Sequence, residues 1–216
     1  APVDDTPIEE SLRAFEDLVR SGKVRYVGFS NFDRQPKLAD QITRIQKSEH
    51  YLPMISSQPR YNLVDRHVES QHAAYCKRNG IGMIVYSPLA QGVLTNKYAG
   101  GAVPEGSRAS GDFKHFLVQE KALTSENVAA AERLAAWCAP RGLTPSAVAI
   151  AWTLRNPQVS SAIVGASSMA QLEQNLLALE VELSAKEWRE VEAAVAGPKR
   201  AKRAGSGSPK SKTTRA

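Results

Sequence analysis

The sequence is poor in the residues that mark several common classes of protein. Its two cysteines, Cys76 and Cys138, lie far apart, with no CxxC spacing and no histidine cluster near them. This argues against a disulfide framework or a zinc site and predicts two buried free thiols in a cytoplasmic protein. The N-terminal residues have neither the basic nor the apolar segment of a signal peptide and indicate a cut within a longer chain. No run has the length of a membrane span.

Two nucleotide-binding signatures are also missing. No Gly-x-Gly-x-x-Gly opens a predicted helix, which disfavours a Rossmann domain, and the absence of Gly-x-x-x-x-Gly-Lys-Ser/Thr disfavours a P-loop nucleotidase. The net charge of +6 is concentrated at one end, because residues 197–216 hold seven Lys or Arg and no acid. The rest has 21 basic and 22 acidic residues. We predict a disordered basic tail over residues 197–216, which lacks aromatic residues to stack on bases and is not expected to bind nucleic acid.

The residues that are present alternate between strand and helix signals. Apolar runs predict strands over residues 24–29, 54–58, 82–86 and 160–164. Amphipathic spacing predicts helices over residues 7–20, 36–47, 67–79, 125–139, 145–154, 168–179 and 184–195. Thr6 is the predicted N-cap of the first helix, and Glu9 has capping-box spacing from it. Residues 90–116, rich in Gly and Pro, predict a long loop that forms a functional lid or stays disordered.

This order of elements predicts an α/β fold with a parallel sheet and right-handed crossovers. Periodicity alone leaves two architectures open, half of a (β/α)8 barrel or a small open α/β sheet. In such folds, ligands bind at the carboxyl ends of the strands.

Four short segments stand at the predicted carboxyl ends of the strands. In the most informative segment, an apolar run is followed by an aromatic ring, a hydroxyl, a proline and a glycine. This segment is Val85-Tyr86-Ser87-Pro88-Leu89-Ala90-Gln91-Gly92. Each of the others, taken alone, is explained by a turn, a single amide or a capped helix. They are Gly28-Phe29-Ser30-Asn31-Phe32, Gln58-Pro59-Arg60-Tyr61-Asn62-Leu63 and Ile163-Val164-Gly165-Ala166-Ser167-Ser168, the last leading to Gln171, Gln174 and Asn175.

Together, in this order and at these separations, the four segments resemble the aldo-keto reductase pattern. Residues 22–32 and 142–154 match it as well. The resemblance covers residues 1–196 as one domain and implies a partial (β/α)8, or TIM, barrel with roughly strands 5–8 and their helices. The long loop is more similar to the potassium-channel β-subunit and aflatoxin-reductase branches than to aldose reductase.

The resemblance implies a site for a nicotinamide dinucleotide, NADP(H), with NAD(H) as the alternative. Ser30, Asn31 and Gln58 would hold the carboxamide, and the ring of Tyr86 would stack on the nicotinamide. The implied neighbours of the pyrophosphate are Ser87, Pro88, Leu89, Gln91 and Gly92, with Lys97 and Arg108 folding over the phosphates. The implied contacts at the adenosine end are Gly165, Ser167, Gln171, Gln174 and Asn175.

Two positions depart from branches of the family that grip a 2′-phosphate. Those branches carry Lys where this chain has Gly165 and Arg where it has Gln171, and some carry Glu in place of Gln174. Neutral side chains at these positions hold a phosphate less tightly. The preference for NADP(H) over NAD(H) is therefore expected to be weaker here.

The carbonyl chemistry of the family requires an Asp, a Tyr, a Lys and a His on the first half of the barrel. Residues 1–7 resemble the segment that follows this His. Tyr61 and Tyr86 match positions beside the cofactor and not the proton donor. The chain alone is therefore not expected to reduce carbonyls. Its histidines, none of which matches the catalytic one, are each expected at the surface or at a cap: His50, His67, His72 and His115.

Two functions stay open. One is the cofactor-binding half of an NAD(P)H-dependent carbonyl or aldehyde reductase, which would act on a small carbonyl substrate when the other half completes it. The alternative is a non-catalytic protein that binds a nicotinamide cofactor or a partner. A half barrel also has open strand edges, here near Val24 and along residues 160–164, and these predict self-association.

Overall fold

A parallel sheet, whose strand order in space follows the order in the chain, organises the molecule. The computed structural model describes residues 6–112, 114–119 and 121–198, and the predicted tail beyond residue 198 lies outside them. The sheet runs β1-β2-β3-β4, with all neighbours parallel. Its strands are Val27–Ser30 (β1), Met54–Gln58 (β2), Gly82–Val85 (β3) and Val159–Ala162 (β4). This confirms the predicted α/β fold, while the assignment to strands 5–8 of a barrel stays a prediction.

Helices follow the predicted alternation. They are Ile8–Arg20 (α1), Pro36–Ser48 (α2), His72–Arg78 (α3), Lys114–Gln119 (α4), Ser125–Cys138 (α5), Pro145–Leu154 (α6), Met169–Leu176 (α7) and Ala185–Ala196 (α8). Side chains of Thr124, Thr144, Ser168 and Ser184 cap the last four of them. Within the described ranges, no helix combines the length and the apolar character that crossing a membrane requires.

Several predicted boundaries are wrong. The first strand starts at Val27 and not at residue 24, because the amides of Lys23 and Val24 both donate to the Leu18 carbonyl at the end of α1. The residue at the N-cap position of α1 is Pro7 and not the predicted Thr6. The predicted helix 67–79 is a 3₁₀ turn, His67–Glu69, followed by α3.

The predicted long loop is more regular than its composition suggests. It contains 3₁₀ turns at Ala90–Thr95 and Ala99–Gly101, and α4 near its end. Leu94 and Tyr98 are 0% and 1% exposed, respectively. The turns pack against α5, so burial of apolar side chains orders this segment despite its glycines.

The sheet has one buried face and one accessible face. Met83 and Val85 of β3 are fully buried among the helices, and so is Ser57 of β2. On the other face, Gly28 is exposed and Gly82 is half-buried. The core therefore lies between the sheet and its helices.

Both cysteines are buried and free, as predicted. Burial raises the pKa of each thiol, Cys76 and Cys138, to about 11. Neither thiol is therefore a ready nucleophile near neutral pH.

Candidate functional site

The carboxyl ends of the strands bring the first predicted site residues together. Ser30 ends β1, Gln58 ends β2, and the two are register partners. Tyr86 directly follows β3, and its amide donates to the Pro59 carbonyl at 3.0 Å. Parallel pairing thus places these residues side by side at one edge of the sheet.

Hydrogen bonds connect these residues to one another. The Gln58 carbonyl accepts from the Ser30 hydroxyl at 3.1 Å and from the Asn31 amide at 3.2 Å. The Tyr86 hydroxyl donates to Oδ1 of Asn31 at 3.0 Å. Asn31 has a left-handed backbone, with φ of 62°, which turns the chain sharply after β1. Asn31 and Gln58 are exposed residues, so their amide groups are available to a ligand with a matching donor and acceptor.

A strained turn follows Tyr86. Its backbone is left-handed at Ser87, Gln91 and Gly92, with φ of 53°, 58° and 90°. Nδ2 of Asn62 donates to the Ser87 carbonyl at 3.0 Å, and Nε2 of Gln91 donates to the Ser87 hydroxyl at 2.9 Å. Such conformations persist where surrounding contacts hold them, and they concentrate at ligand sites. In the same turn Pro88 is buried and Leu89 is half-buried.

Two cations of the long loop lie near this turn. Lys97 is exposed overall, but its ammonium group lies so close to Gly92 that a Cβ on that glycine would be 2.9 Å from Nζ. Partial burial lowers the pKa of Lys97, and the positive charge of Arg108 lowers it further. In the part of the chain that the structure describes, the Ser107 hydroxyl beside Arg108 is buried and has no hydrogen-bond partner. An anion bound here would relieve the repulsion between the cations.

The remaining predicted residues gather around the start of α7. Oε1 of Gln171 accepts from the Ser167 amide at 2.9 Å and from its hydroxyl at 3.1 Å. Nδ2 of Asn175, which is 8% exposed, donates to the Gly165 carbonyl at 3.4 Å. Gln174 is exposed. The loop after β4 is thus tied to the first turns of α7, with the N-terminus of the helix facing outward.

The sequence analysis did not identify Asn62 as part of the site. Asn62 is 1% exposed, and besides its bond to Ser87 its Oδ1 accepts from the amides of Val64 and Asp65. It therefore organises the loop after β2 and connects it to the loop after β3. An Asn three residues before an Asp, at the end of a strand, is a local signal for such a turn.

The prediction that every histidine lies at the surface or at a cap is wrong for His72. His72 is 6% exposed, and its Nε2 lies 2.8 Å from the Ser57 hydroxyl, because α3 packs on the buried face of the sheet. Burial lowers the pKa of His72. His67 lies between the carboxylates of Asp33 and Asp65.

Comparison with known proteins identifies relatives along most of the chain. The model of the Aldo/keto reductase family matches residues 1–196. An L-glyceraldehyde 3-phosphate reductase of Escherichia coli O157:H7 is 36% identical over 180 residues, which are 82% of this chain and 50% of that protein. A probable voltage-gated potassium channel subunit beta of Arabidopsis thaliana is 35% identical over 185 residues, which are 83% of this chain and 54% of that protein.

The fold is similar to solved structures as well. A glycerol dehydrogenase of Gluconobacter oxydans aligns with a TM-score of 0.69 and 27% identity, over 90% of this chain and 56% of that chain. A thermostable aldo-keto reductase aligns with a TM-score of 0.62 and 26% identity, over 89% of this chain and 57% of that chain. The chain therefore spans about half the length of these relatives.

Proposed function

Because the chain belongs to the aldo/keto reductase family, we propose that it is the cofactor-binding half of an NAD(P)H-dependent carbonyl or aldehyde reductase. On this proposal β1–β4 are strands 5–8 of a (β/α)8 barrel. The parallel order of the strands and the accessible face of the sheet support it. So do the relatives, which include a glyceraldehyde 3-phosphate reductase and a glycerol dehydrogenase.

The main support for the proposal is the set of hydrogen bonds at the edge of the sheet that connects Ser30, Asn31, Gln58 and Tyr86. Exposed amide groups of Asn31 and Gln58 pair with a carboxamide, which is itself a donor and an acceptor. The Tyr86 ring, held by its bond to Asn31, offers a face for stacking. Such stacking adds about 1 kcal/mol beyond burial of the rings. These contacts orient one face of a nicotinamide, which when bound supplies or accepts a hydride.

Lys97, Arg108 and the Ser107 hydroxyl are the proposed contacts to the phosphates. The lowered pKa of Lys97 and the unpartnered Ser107 hydroxyl both fit a site that an anion completes. Gly92 supports the same role, since its missing side chain leaves room for the ammonium group. We assign the pyrophosphate to the turn at residues 87–92 and these loop residues together.

The adenosine end is proposed at Gly165, Ser167, Gln171, Gln174 and Asn175. Gln171 is neutral and already accepts two hydrogen bonds from Ser167. A 2′-phosphate would meet neutral groups there, and charge-assisted bonds are about twice as strong as neutral ones. The cofactor is therefore proposed to be NADP(H), with only a modest preference over NAD(H).

The proton donor for a carbonyl substrate is proposed to lie outside this half. Tyr61, Tyr75 and Tyr98 are 2%, 6% and 1% exposed, too buried to reach a substrate. The Tyr86 hydroxyl is bonded to Asn31 on the cofactor side. The substrate, a small carbonyl compound, then requires groups from both halves of a barrel.

Fluorescence titration of the 216-residue chain with NADPH and with NADH tests the proposal. Saturable binding is expected, and Lys97→Met is expected to weaken NADPH binding about tenfold, the loss of one charge-assisted contact. Lys47→Met, an exposed lysine on α2, is the matched control and should bind like the unchanged chain. A folded chain that binds neither cofactor contradicts the proposal.

An activity assay on the same sample distinguishes cofactor binding from catalysis. Binding without oxidation of NADPH in the presence of an aromatic aldehyde agrees with catalytic residues that lie elsewhere. Steady oxidation by the pure chain contradicts that assignment. Size-exclusion chromatography tests the further proposal that the strand edges at β1 and β4 cause self-association, since a monomer at every concentration would contradict it.

A further inference from the structure

A charged cluster links the loops that follow β1 and β2. Asp33 lies in the 3₁₀ turn Phe32–Arg34 after β1, and Asp65 and His67 lie in the loop after β2. Nε2 of His67 is 2.5 Å from Oδ2 of Asp33, and Nδ1 is 2.5 Å from Oδ1 of Asp65. We refer to these three side chains as the Asp33–His67–Asp65 bridge. Asp33 and His67 are 34 residues apart in the sequence.

Each ring nitrogen of His67 faces a carboxylate oxygen, which can only accept a hydrogen bond. A neutral imidazole has one N–H donor, and a carboxylate only accepts. Since both ring nitrogens of His67 face carboxylates, the contacts are satisfied together when the ring is an imidazolium. Within the described residues, the other oxygen of Asp33, Oδ1, is buried without a hydrogen-bond partner. The Asp33 side chain is 1% exposed, so the charge on His67 is its principal compensation.

Other charged groups around the bridge do not replace His67. Arg34 comes within 3.8 Å of Asp33 and of Asp65, but its side chain is 60% exposed. Arg60 binds Asp65 through Nε at 2.7 Å. Burial raises the pKa of Asp65, but His67 and Arg60 outweigh burial and hold it below its usual range. Burial lowers the pKa of His72 on α3; the charge of Asp33 opposes this shift, and a charge on His67 adds to it.

The bridge is close to the proposed carboxamide contacts. Asn31 precedes the turn that carries Asp33 and adopts a left-handed backbone there. Its amide donates to Gln58 and its Oδ1 accepts from Tyr86, so a shift of the turn that follows Asn31 would disturb both bonds. Asp33 is anchored to the loop after β2 through His67. Removing the anchor would free the turn and, with it, Asn31.

We infer that His67, as an imidazolium between Asp33 and Asp65, is a positioning residue that holds Asn31 in its ligand-binding place and so sets how tightly the nicotinamide carboxamide is bound. This inference rests on the proposed function for its ligand. Its structural part, the anchoring of Asn31, stands without the cofactor.

Hydrogen exchange at the Asn31 amide tests the anchoring directly. In the 216-residue chain without cofactor, His67→Asn is expected to lower the protection factor of the Asn31 amide about tenfold, because Asn carries no charge to compensate Asp33 and Asp65. His50→Asn is the matched control, because His50 is exposed and has a left-handed φ of 56° that Asn tolerates.

A second variant separates charge from shape. His67→Lys keeps a positive charge between the two carboxylates, so it is expected to retain part of the protection. A purely structural imidazole would instead make Lys and Asn equally damaging. A protection factor of the Asn31 amide that is the same in His67→Asn as in the unchanged chain overturns the inference.

NADPH affinity connects the bridge to the ligand. His67→Asn is expected to weaken binding about tenfold, while His50→Asn leaves it unchanged. Equal affinities of His67→Asn and the unchanged chain overturn the inference. If no form of the chain binds NADPH, the proposed function fails, and the exchange of the Asn31 amide still decides whether the bridge anchors the loop.

Discussion

The two faces of the β-sheet differ in what lies on them. On one face Met83 and Val85 are fully buried against helices. On the other, Gly28 and Gly82 face serines so closely that an added Cβ would lie 2.2 Å from Oγ of Ser56 and 2.5 Å from Oγ of Ser160. Parallel sheets are usually covered on both faces. Burial of apolar side chains on the covered face therefore stabilises the fold. On the accessible face, neighbouring strands approach too closely at Gly28 and Gly82 for larger side chains.

The largest expected effect is a truncation on the covered face. Met83→Ala should lower the free energy of unfolding by about 2–5 kcal/mol, because it creates a cavity in a fully buried site. Ile84→Ala, on the half-buried opposite side of the same strand, should cost about 1 kcal/mol. Urea denaturation followed by circular dichroism measures both. Equal losses would show that the second face is as well packed as the first.

A smaller effect is expected from adding a methyl group to the accessible face. Gly28→Ala should cost about 1–3 kcal/mol, because the new Cβ overlaps the Ser56 hydroxyl and approaches the Ser56 carbonyl to 2.9 Å. Ser56→Gly in the same chain should recover part of this loss. Gly165→Ala is the matched control, since nothing lies within 4 Å of its Cβ position. Thermal unfolding of the three variants would refute the close-approach account if Gly28→Ala behaved like the control.

The smallest expected effect concerns acid stability of the helical layer on the covered side. Glu192 of α8 accepts from Nε1 of Trp152 on α6 at 3.0 Å and pairs with Arg66 at 3.2 Å. Burial raises the pKa of Glu192, but these partners outweigh it and hold the pKa below its usual range. The carboxylate therefore stabilises the fold above the ordinary glutamate pKa, and the contribution disappears as the pH falls through the lowered value.

Glu192→Gln should accordingly flatten the loss of stability on acidification. The change is expected to be about 1 kcal/mol or less near neutral pH, because the pair is partly open to solvent and screened. Denaturation midpoints measured from about pH 6 to about pH 3 give the slope. Glu180→Gln, at an exposed position, serves as the control. Identical slopes for Glu192→Gln and the unchanged chain would show that Glu192 does not link the helices to the loop.

Much of the fold is predictable from short stretches of sequence. The limits of β2 were predicted from its apolar residues, and those of α6 from its helical spacing and from Pro145 in its first turn. Where distant contacts compete with local signals, prediction fails. The first strand starts late because Leu18 binds the amides that precede it. The helix before Asn79 starts late because its first predicted turn forms the loop that carries His67.

The candidate site shows the same division. Ser30, Gln58 and Tyr86 lie together, as expected for residues that follow neighbouring parallel strands. The burial of His72 against Ser57 and the enclosure of His67 by two carboxylates were not predicted. No local pattern distinguishes these histidines from His50, which is exposed. Their surroundings depend on how α3 and two loops pack on the sheet.

The α/β alternation and the placement of the candidate site residues at strand ends follow from local sequence, because periodicity and turn chemistry act within a few residues. Tertiary structure alone decided which face of the sheet is covered and which side chains meet. The bonds that join Ser30 to Gln58 and Tyr86 to Asn31 span 28 and 55 residues. Such partners are determined by the packing of whole elements, which brings the loops after β1, β2 and β3 together at the candidate site.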